Sequence, residues 1–170
     1  IKLAKSEIIH FIGIGGIGMS GLAVIMNSLG FKIQGSDISK NKNIESLKSN
    51  KIKIFLNHDK KNISNSTIIV ISSAIKNNNP ELIEAKKKNL PIYKRGVMLG
   101  QIVSLMKNIV VAGSHGKTTT TSLISSIFSS AKIDPTVING GILNSHGNSA
   151  RLGKSEWCIL ESDDCLLYTS

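Results

Sequence analysis

A doubly wound, parallel α/β sheet followed by the opening of a second α/β domain is the fold class that this sequence predicts. Three observations carry the prediction. Apolar runs of strand length alternate with stretches of helical length along the chain. The first run, residues 7–14 (Glu-Ile-Ile-His-Phe-Ile-Gly-Ile), is apolar at consecutive positions, as in a strand buried on both faces. Two of the runs, one near the start and one near residue 110, pass straight into a glycine-rich turn that opens a helix.

Taken in order, the first strand runs into Gly13-Ile14-Gly15-Gly16-Ile17-Gly18, which fits G-x-G-x-x-G at a strand-to-helix junction. A helix over residues 19–29 closes at Gly30, and a second strand over 31–35 ends at Ser36-Asp37. Asp37 falls about 20 residues after the glycines, where a ribose-binding carboxylate belongs in a dinucleotide site. Strand, helix, strand and acid together predict a nucleotide-binding βαβ unit. The plainer alternative is a glycine turn that packs helix on sheet, with Asp37 capping the next helix.

The alternation continues with a helix over 43–49, a strand over 52–55 and a central strand over 67–71 that ends in Ser72, Ser73 and Ala74. A helix follows over 80–88 with Pro80 near its start, then a strand over 91–93. The next helix, 95–106, is expected to bury Val97, Met98, Ile102 and Leu105. In such a sheet ligands bind at the carboxyl ends of the strands, where Ser72, Ser73 and Ala74 stand.

The expected domain boundary is Lys107-Asn108, dividing residues 1–107 from residues 108–170. A strand over 109–112 leads into Gly113-Ser114-His115-Gly116-Lys117-Thr118-Thr119, and Leu123, Ile124, Ile127 and Phe128 recur behind it at helical spacing. This is a shortened phosphate loop, with Val111 where the full pattern has its first glycine. Such a turn aims backbone N–H groups at a phosphate, while Lys117 adds a cation and Thr118 a hydroxyl for Mg²⁺. A short strand at 136–138, a turn at Asn139-Gly140-Gly141 and a strand over 157–160 follow. That last strand ends in Glu161-Ser162-Asp163-Asp164, and Glu161 is the candidate Mg²⁺ ligand.

Composition narrows the field. The chain is 41% hydrophobic, and no apolar run in it approaches a membrane span or the core of a signal peptide, so a cytoplasmic location is expected. Cys158 and Cys165 are too isolated for a disulfide framework or a zinc site. The net charge of +10 is nearly all lysine, and the 4% aromatic content leaves little for stacking bases, so a nucleic-acid partner is not expected. His10, His58, His115 and His146 do not pair at metal-ligand spacing. Only His115 stands apart, inside the phosphate loop.

The residues His10-Phe11-Ile12-Gly13-Ile14-Gly15-Gly16-Ile17-Gly18-Met19-Ser20-Gly21-Leu22-Ala23, with Gly113-Ser114-His115-Gly116-Lys117-Thr118-Thr119-Thr120, resemble the Mur ligases of peptidoglycan synthesis. They are similar in particular to the branch that adds L-alanine to UDP-N-acetylmuramate. Ser72-Ser73-Ala74-Ile75, Asn139-Gly140-Gly141 and Ala150-Arg151-Leu152-Gly153 also look like that branch, and the likeness runs over residues 8–164.

The resemblance implies that residues 1–107 form a Rossmann-like domain for the UDP part of UDP-N-acetylmuramate, not for NAD. Gly13, Gly15, Gly16, Ile17, Gly18, Asp37, Ser72, Ser73 and Ala74 would line it. Residues 108–170 would open a P-loop ATPase domain in which Gly113, Ser114, His115, Gly116, Lys117, Thr118 and Thr119 bind ATP. By the same likeness Lys117 is catalytic, touching the β- and γ-phosphates, and Thr118 and Glu161 hold Mg²⁺. ATP would phosphorylate the muramoyl carboxylate, and L-alanine would attack the acyl phosphate.

Two departures stand out. Ser114 replaces the usual threonine, keeping a hydroxyl, and the family's Glu-Ser-Asp-Gly-Ser-Phe gives way after Asp164 to Cys165-Leu166-Leu167-Tyr168-Thr169-Ser170. The expectation is an N-terminal fragment, inactive alone. A ligase that recycles murein tripeptide is the near alternative, and an NAD-dependent oxidoreductase the distant one.

Overall fold

Isoleucine-rich segments build a parallel sheet in the first half of the chain. In the computed structural model, whose described residues are 3–138, 150–151, 153 and 155–162, the strands are β1 (Ile8–Ile12), β2 (Lys32–Ser36), β3 (Lys53–Phe55), β4 (Ile68–Ile71) and β5 (Ile92–Lys94). Every neighbouring pair is parallel and the order is β3-β2-β1-β4-β5. Parallel neighbours need crossovers, supplied here by α1 (Ile17–Ser28), α2 (Lys42–Ser49), a 3₁₀ turn (Lys60–Ile63) and α3 (Pro80–Lys87), with α4 (Arg95–Val103) after β5.

Chain order reverses direction beside β1, between it and β4, which makes that crevice the topological switch point of the sheet. Ile12, Ile63, Ile69, Leu82 and Ala85 form one core cluster, with Ile71, Ile75, Leu90 and Ile92 packed against it. Asn41 caps α2 by accepting the Ile44 N–H, Asn79 caps α3 by accepting those of Glu81 and Leu82, and Pro80 starts α3 where its missing N–H costs nothing.

The second half holds β6 (Lys107–Ala112), α5 (Lys117–Ser130), β7 (Thr136–Ile138), β8 (Ala150–Arg151) and β9 (Trp157–Ser162). Its sheet runs β6-β9-β7-β8, parallel except for the β7–β8 pair. The last strand in sequence therefore lies beside the first. Val111, Val137 and Ile159 form its core with Ile124 against them, and Phe128 meets Trp157 edge to face at 5.5 Å. The chain divides into two units, Ile1–Leu99 and Gly100–Ser170.

Two helical faces differ from expectation. In α4 the buried residues are Met98, Leu99, Ile102 and Val103, whereas Val97 is 48% exposed and Leu105 63%. At about 100° per residue Val97 lies opposite the arc of the buried four, and Leu105 lies past the end of the helix. In α5 Leu123 and Ile127 are exposed, because the stripe that turns inward is Thr121, Ile124 and Phe128. The turn at 139–141, His146 and residues 163–170, Cys165 among them, lie outside the described residues.

Candidate nucleotide-binding sites

The first glycine loop leaves β1 at the switch point. Gly13 has φ +81°, in the left-handed region, and the N–H groups of Gly13 and Ile14 both donate to the Ser36 carbonyl at the end of β2. Gly15 donates to Asp37 Oδ2 at 2.8 Å, while Asp37 Oδ1 accepts the Ser39 N–H and hydroxyl at 2.9 and 2.7 Å. Asn41 and Asn43 donate to the Gly15 carbonyl from the other side. Asp37 thus clamps the loop. A carboxylate offers about four acceptor positions, so three bonds leave room for one more. Burial acts to raise the Asp37 carboxyl, but the Ser39 and Gly15 hydrogen bonds and nearby His58 outweigh it and hold it below the usual value.

Ser72 follows β4 against the same loop, since a Cβ on Gly13 would come within 3.2 Å of Ser72 Cβ. The Ser72 hydroxyl accepts the Ala74 N–H at 3.3 Å, and both Ser73 and Ala74 are exposed at this strand end. Ile17, at the start of α1, is 45% exposed. Gly16 is the N-cap of α1 with no side-chain capping bond, and the first turn carries no acid. The structure therefore gathers Gly13, Gly15, Gly16, Ile17, Gly18, Asp37, Ser72, Ser73 and Ala74 around the carboxyl ends of β1, β2 and β4.

Behind these strand ends lies a group that the sequence did not disclose. Glu81, in the first turn of α3, is fully buried and accepts from Ser36 Oγ at 2.6 Å and Asn62 Nδ2 at 2.7 Å. His58 Nδ1 lies 2.9 Å from one of its oxygens and His10 Nε2 3.5 Å from the other. Burial works to raise the Glu81 carboxyl, and the contacts with His10, Ser36 and Asn62 overcome it, leaving it below the usual range. His10 and His58 are thus members of one buried polar network, not isolated histidines in solvent.

The second glycine loop follows β6. Gly113 has φ +150° and Gly116, the N-cap of α5, has φ +77°. As in α1, no side chain caps this helix and no acid sits in its first turn. Lys117 Nζ donates to the Gly113 carbonyl at 2.7 Å, spanning the loop. Ser114, His115, Gly116, Thr118 and Thr119 are exposed. Register pairs Val111 with Glu161, which brings β9 alongside β6 and the Thr118 hydroxyl within 3.4 Å of Glu161 Oε2. A hydroxyl and a carboxylate so placed are the hard oxygen donors that a magnesium ion takes together with phosphate oxygens. Cys158, fully buried in β9, has its thiol pushed up to about 12 by burial and is inert. Among the described residues no group of His, Cys, Asp and Glu could by itself hold a metal ion, and no helix is long and apolar enough to cross a membrane.

With this geometry in place, comparison with known proteins is specific. Residues 8–107 match the profile described as Mur ligase family, catalytic domain. The chain is 73% identical over 164 residues to the UDP-N-acetylmuramate–L-alanine ligase of Pelagibacter ubique, covering 96% of this chain and 35% of that protein. Among solved structures it is similar to the UDP-N-acetylmuramate-alanine ligase of Thermotoga maritima, at 30% identity and a TM-score of 0.71, covering 90% of this chain and 36% of that one. The UDP-N-acetylmuramate:L-alanyl-gamma-D-glutamyl-meso-diaminopimelate ligase of Neisseria meningitides superposes with a TM-score of 0.73 at 27% identity, covering 93% and 53%. The chain spans about a third of the length of the curated relatives it matches.

Proposed function

Because this chain belongs to the Mur ligase family, we propose that it is the nucleotide-binding part of an enzyme that joins L-alanine to UDP-N-acetylmuramate, working in the cytoplasm on the way to peptidoglycan. One observation carries the reading. Both glycine loops open onto helices whose first N–H groups no side chain caps, whereas α2 and α3 are capped by asparagines. An uncapped, acid-free helix start is left for an anion.

On this reading the first unit takes the UDP sugar, with Gly13, Gly15, Gly16, Ile17 and Gly18 at its phosphates and Asp37 offering its remaining acceptor position to a ribose hydroxyl. Ser72, Ser73 and Ala74 close the site at the end of β4. The second unit takes ATP, with Gly113, Ser114, His115, Gly116, Thr118 and Thr119 around the phosphates. Lys117 exchanges its Gly113 carbonyl for the β- and γ-phosphate oxygens and stabilises the charge that develops there. Thr118 and Glu161 would hold Mg²⁺, which supplies further charge neutralisation when bound. A carboxylate oxygen of the sugar's lactyl group attacks the γ-phosphorus and ADP leaves; the alanine amine then attacks the acyl carbon and phosphate leaves.

Calorimetric titration tests the assignment. UDP-N-acetylmuramate should give saturable heat and NADH none, and ATP should bind in the presence of Mg²⁺ and lose affinity when a chelator removes it. Heat with NADH and none with the UDP sugar would return the first loop to the dehydrogenases. The 73% identity to an alanine ligase, against 27% for the Neisseria protein, favours alanine over a tripeptide as the incoming amine.

A further inference from the structure

Four segments of the first unit deliver polar groups to one buried carboxylate, and the partners of those groups fix where the protons sit. Glu81 lies in the first turn of α3 with its N–H on Asn79 Oδ1, where a helix favours negative charge. Its four acceptor positions face four donor atoms. Oε2 faces the Ser36 hydroxyl at 2.6 Å and His58 Nδ1 at 2.9 Å, while Oε1 faces Asn62 Nδ2 at 2.7 Å and, more loosely, His10 Nε2 at 3.5 Å. Across the ring, His10 Nδ1 lies 3.3 Å from Gln34 Nε2, which also donates to the Asn62 carbonyl. His10 therefore accepts at Nδ1 and carries its proton on Nε2. His58 carries its proton on Nδ1, because an ionised carboxylate can only accept.

This network reaches the glycine loop through one residue. Ser36 ends β2 with its hydroxyl on Glu81, while its carbonyl accepts the Gly13 and Ile14 N–H groups at 2.9 and 3.0 Å. Asp37 follows directly and holds the Gly15 N–H. The carboxylate's grip on β2 and the two anchors of the loop thus sit on consecutive residues. We propose that Glu81 is a positioning residue for the nucleotide-sugar site: acting through Ser36, it sets the end of β2 on which the first glycine loop rests. This rests on the function proposed above and gives the buried acid a part in binding as well as in stability. An acid serving stability alone would leave affinity unchanged wherever the chain stays folded.

The test compares the chain with its Glu81→Gln, Ser36→Ala and double variants, each titrated with UDP-N-acetylmuramate and with ATP and Mg²⁺ well below the melting transition. Asn62 Nδ2 also donates to the Asn57 carbonyl, so in Glu81→Gln the introduced amide turns its oxygen to Asn62 and its NH₂ group to Ser36 and His58. His58 must then accept at Nδ1 and move its proton to Nε2, which NMR of the labelled ring nitrogens reads directly. Each single variant should weaken the UDP sugar by about fivefold, the double variant no more than the weaker-binding single, and ATP should bind as in the parent. Exchange of the Gly13 and Ile14 amide hydrogens should quicken in both singles relative to those of β5.

Parental affinity for the UDP sugar in both single variants would overturn the positioning role while leaving the function standing. Losses that multiply in the double variant would overturn it as well, because the two residues would then act separately. A matching loss of ATP affinity would overturn it as a general loosening of the fold. If the glutamine variant melts early or leaves the His58 proton on Nδ1, Ser36→Ala decides, since it keeps the carboxylate with His10, His58 and Asn62. Should the parent chain not bind the UDP sugar, the function falls and amide exchange decides: faster exchange confined to the loop keeps the hold of Glu81 on it, and exchange that quickens evenly across the first sheet overturns it.

Discussion

The two glycine loops of this chain use the same residue for opposite reasons. At Gly15 of the first, glycine is there because the protein itself comes too close: a Cβ would stand 2.9 Å from Asp37 Oδ2 and 3.0 Å from Ile44 Cδ1. In the second, Gly116 has nothing among the described residues within 4 Å of that position, and glycine suits its φ of +77°. The first loop is clamped by the chain, through Asp37, Asn41 and Asn43, before any ligand arrives. The second is spanned by Lys117, which donates to the Gly113 carbonyl. A preorganised loop loses little entropy on binding, whereas an uncapped helix start leaves backbone N–H groups that a bound anion would satisfy.

The comparison breaks most visibly at Glu81, the brace behind the first loop's strand ends. Glu81→Ala removes the acceptor from Ser36, Asn62 and His58 in a buried setting and should cost the first unit about 3–5 kcal/mol. Denaturant unfolding followed by circular dichroism would register it. Fluorescence of Trp157, the chain's single tryptophan, reports the second unit and should be the less affected. Equal losses by both probes would show that the brace is not local.

A smaller effect separates the loops themselves. Gly15→Ala should cost about 1–3 kcal/mol, since Asp37 or Ile44 must move, and should loosen UDP-sugar binding with it. Gly116→Ala should cost only about 1 kcal/mol through its backbone, yet, if this loop holds phosphate as proposed, reduce ATP affinity because the methyl group would enter that space. Comparable stability losses with no change in either ligand would erase the distinction. Differential scanning calorimetry and titration on the same samples decide it.

How far this could be read in advance depends on how local the signal is. Both glycine loops, Asp37 and the alternation of strands with helices are legible, because each is a short-range pattern with a fixed period. Glu81 is not legible: an acid just after Pro80 reads as a surface charge on a helix start, and only the folded sheet delivers His10, His58 and Asn62 to it. Lys94 and Arg95 likewise read as solvated charges until the pairing of β4 with β5 sets them beside Ser72. The insertion of β9 between β6 and β7, which carries Glu161 to Thr118, is a long-range choice that no window of sequence contains.

The finest separation of the two regions is by pH, and the signs are opposite. Glu81 and Asp37, both in the first unit, titrate below their ordinary values when folded. Their stabilisation is complete above the unfolded values of 4.5 and 3.8 and is lost as pH falls through the folded ones, so the first unit should weaken in acid. Cys158, in the second unit, is raised from 9.0 to about 12. Its neutral form is the one the fold accepts, so that contribution is whole below pH 9.0 and drains away as pH climbs toward 12, when the unfolded thiol ionises and the buried one does not. Trp157 fluorescence should therefore show an alkaline loss of stability that Cys158→Ala removes, while leaving the acid limb followed by circular dichroism where it was. An alkaline limb that survives the substitution would leave the second unit without a titration signature of its own.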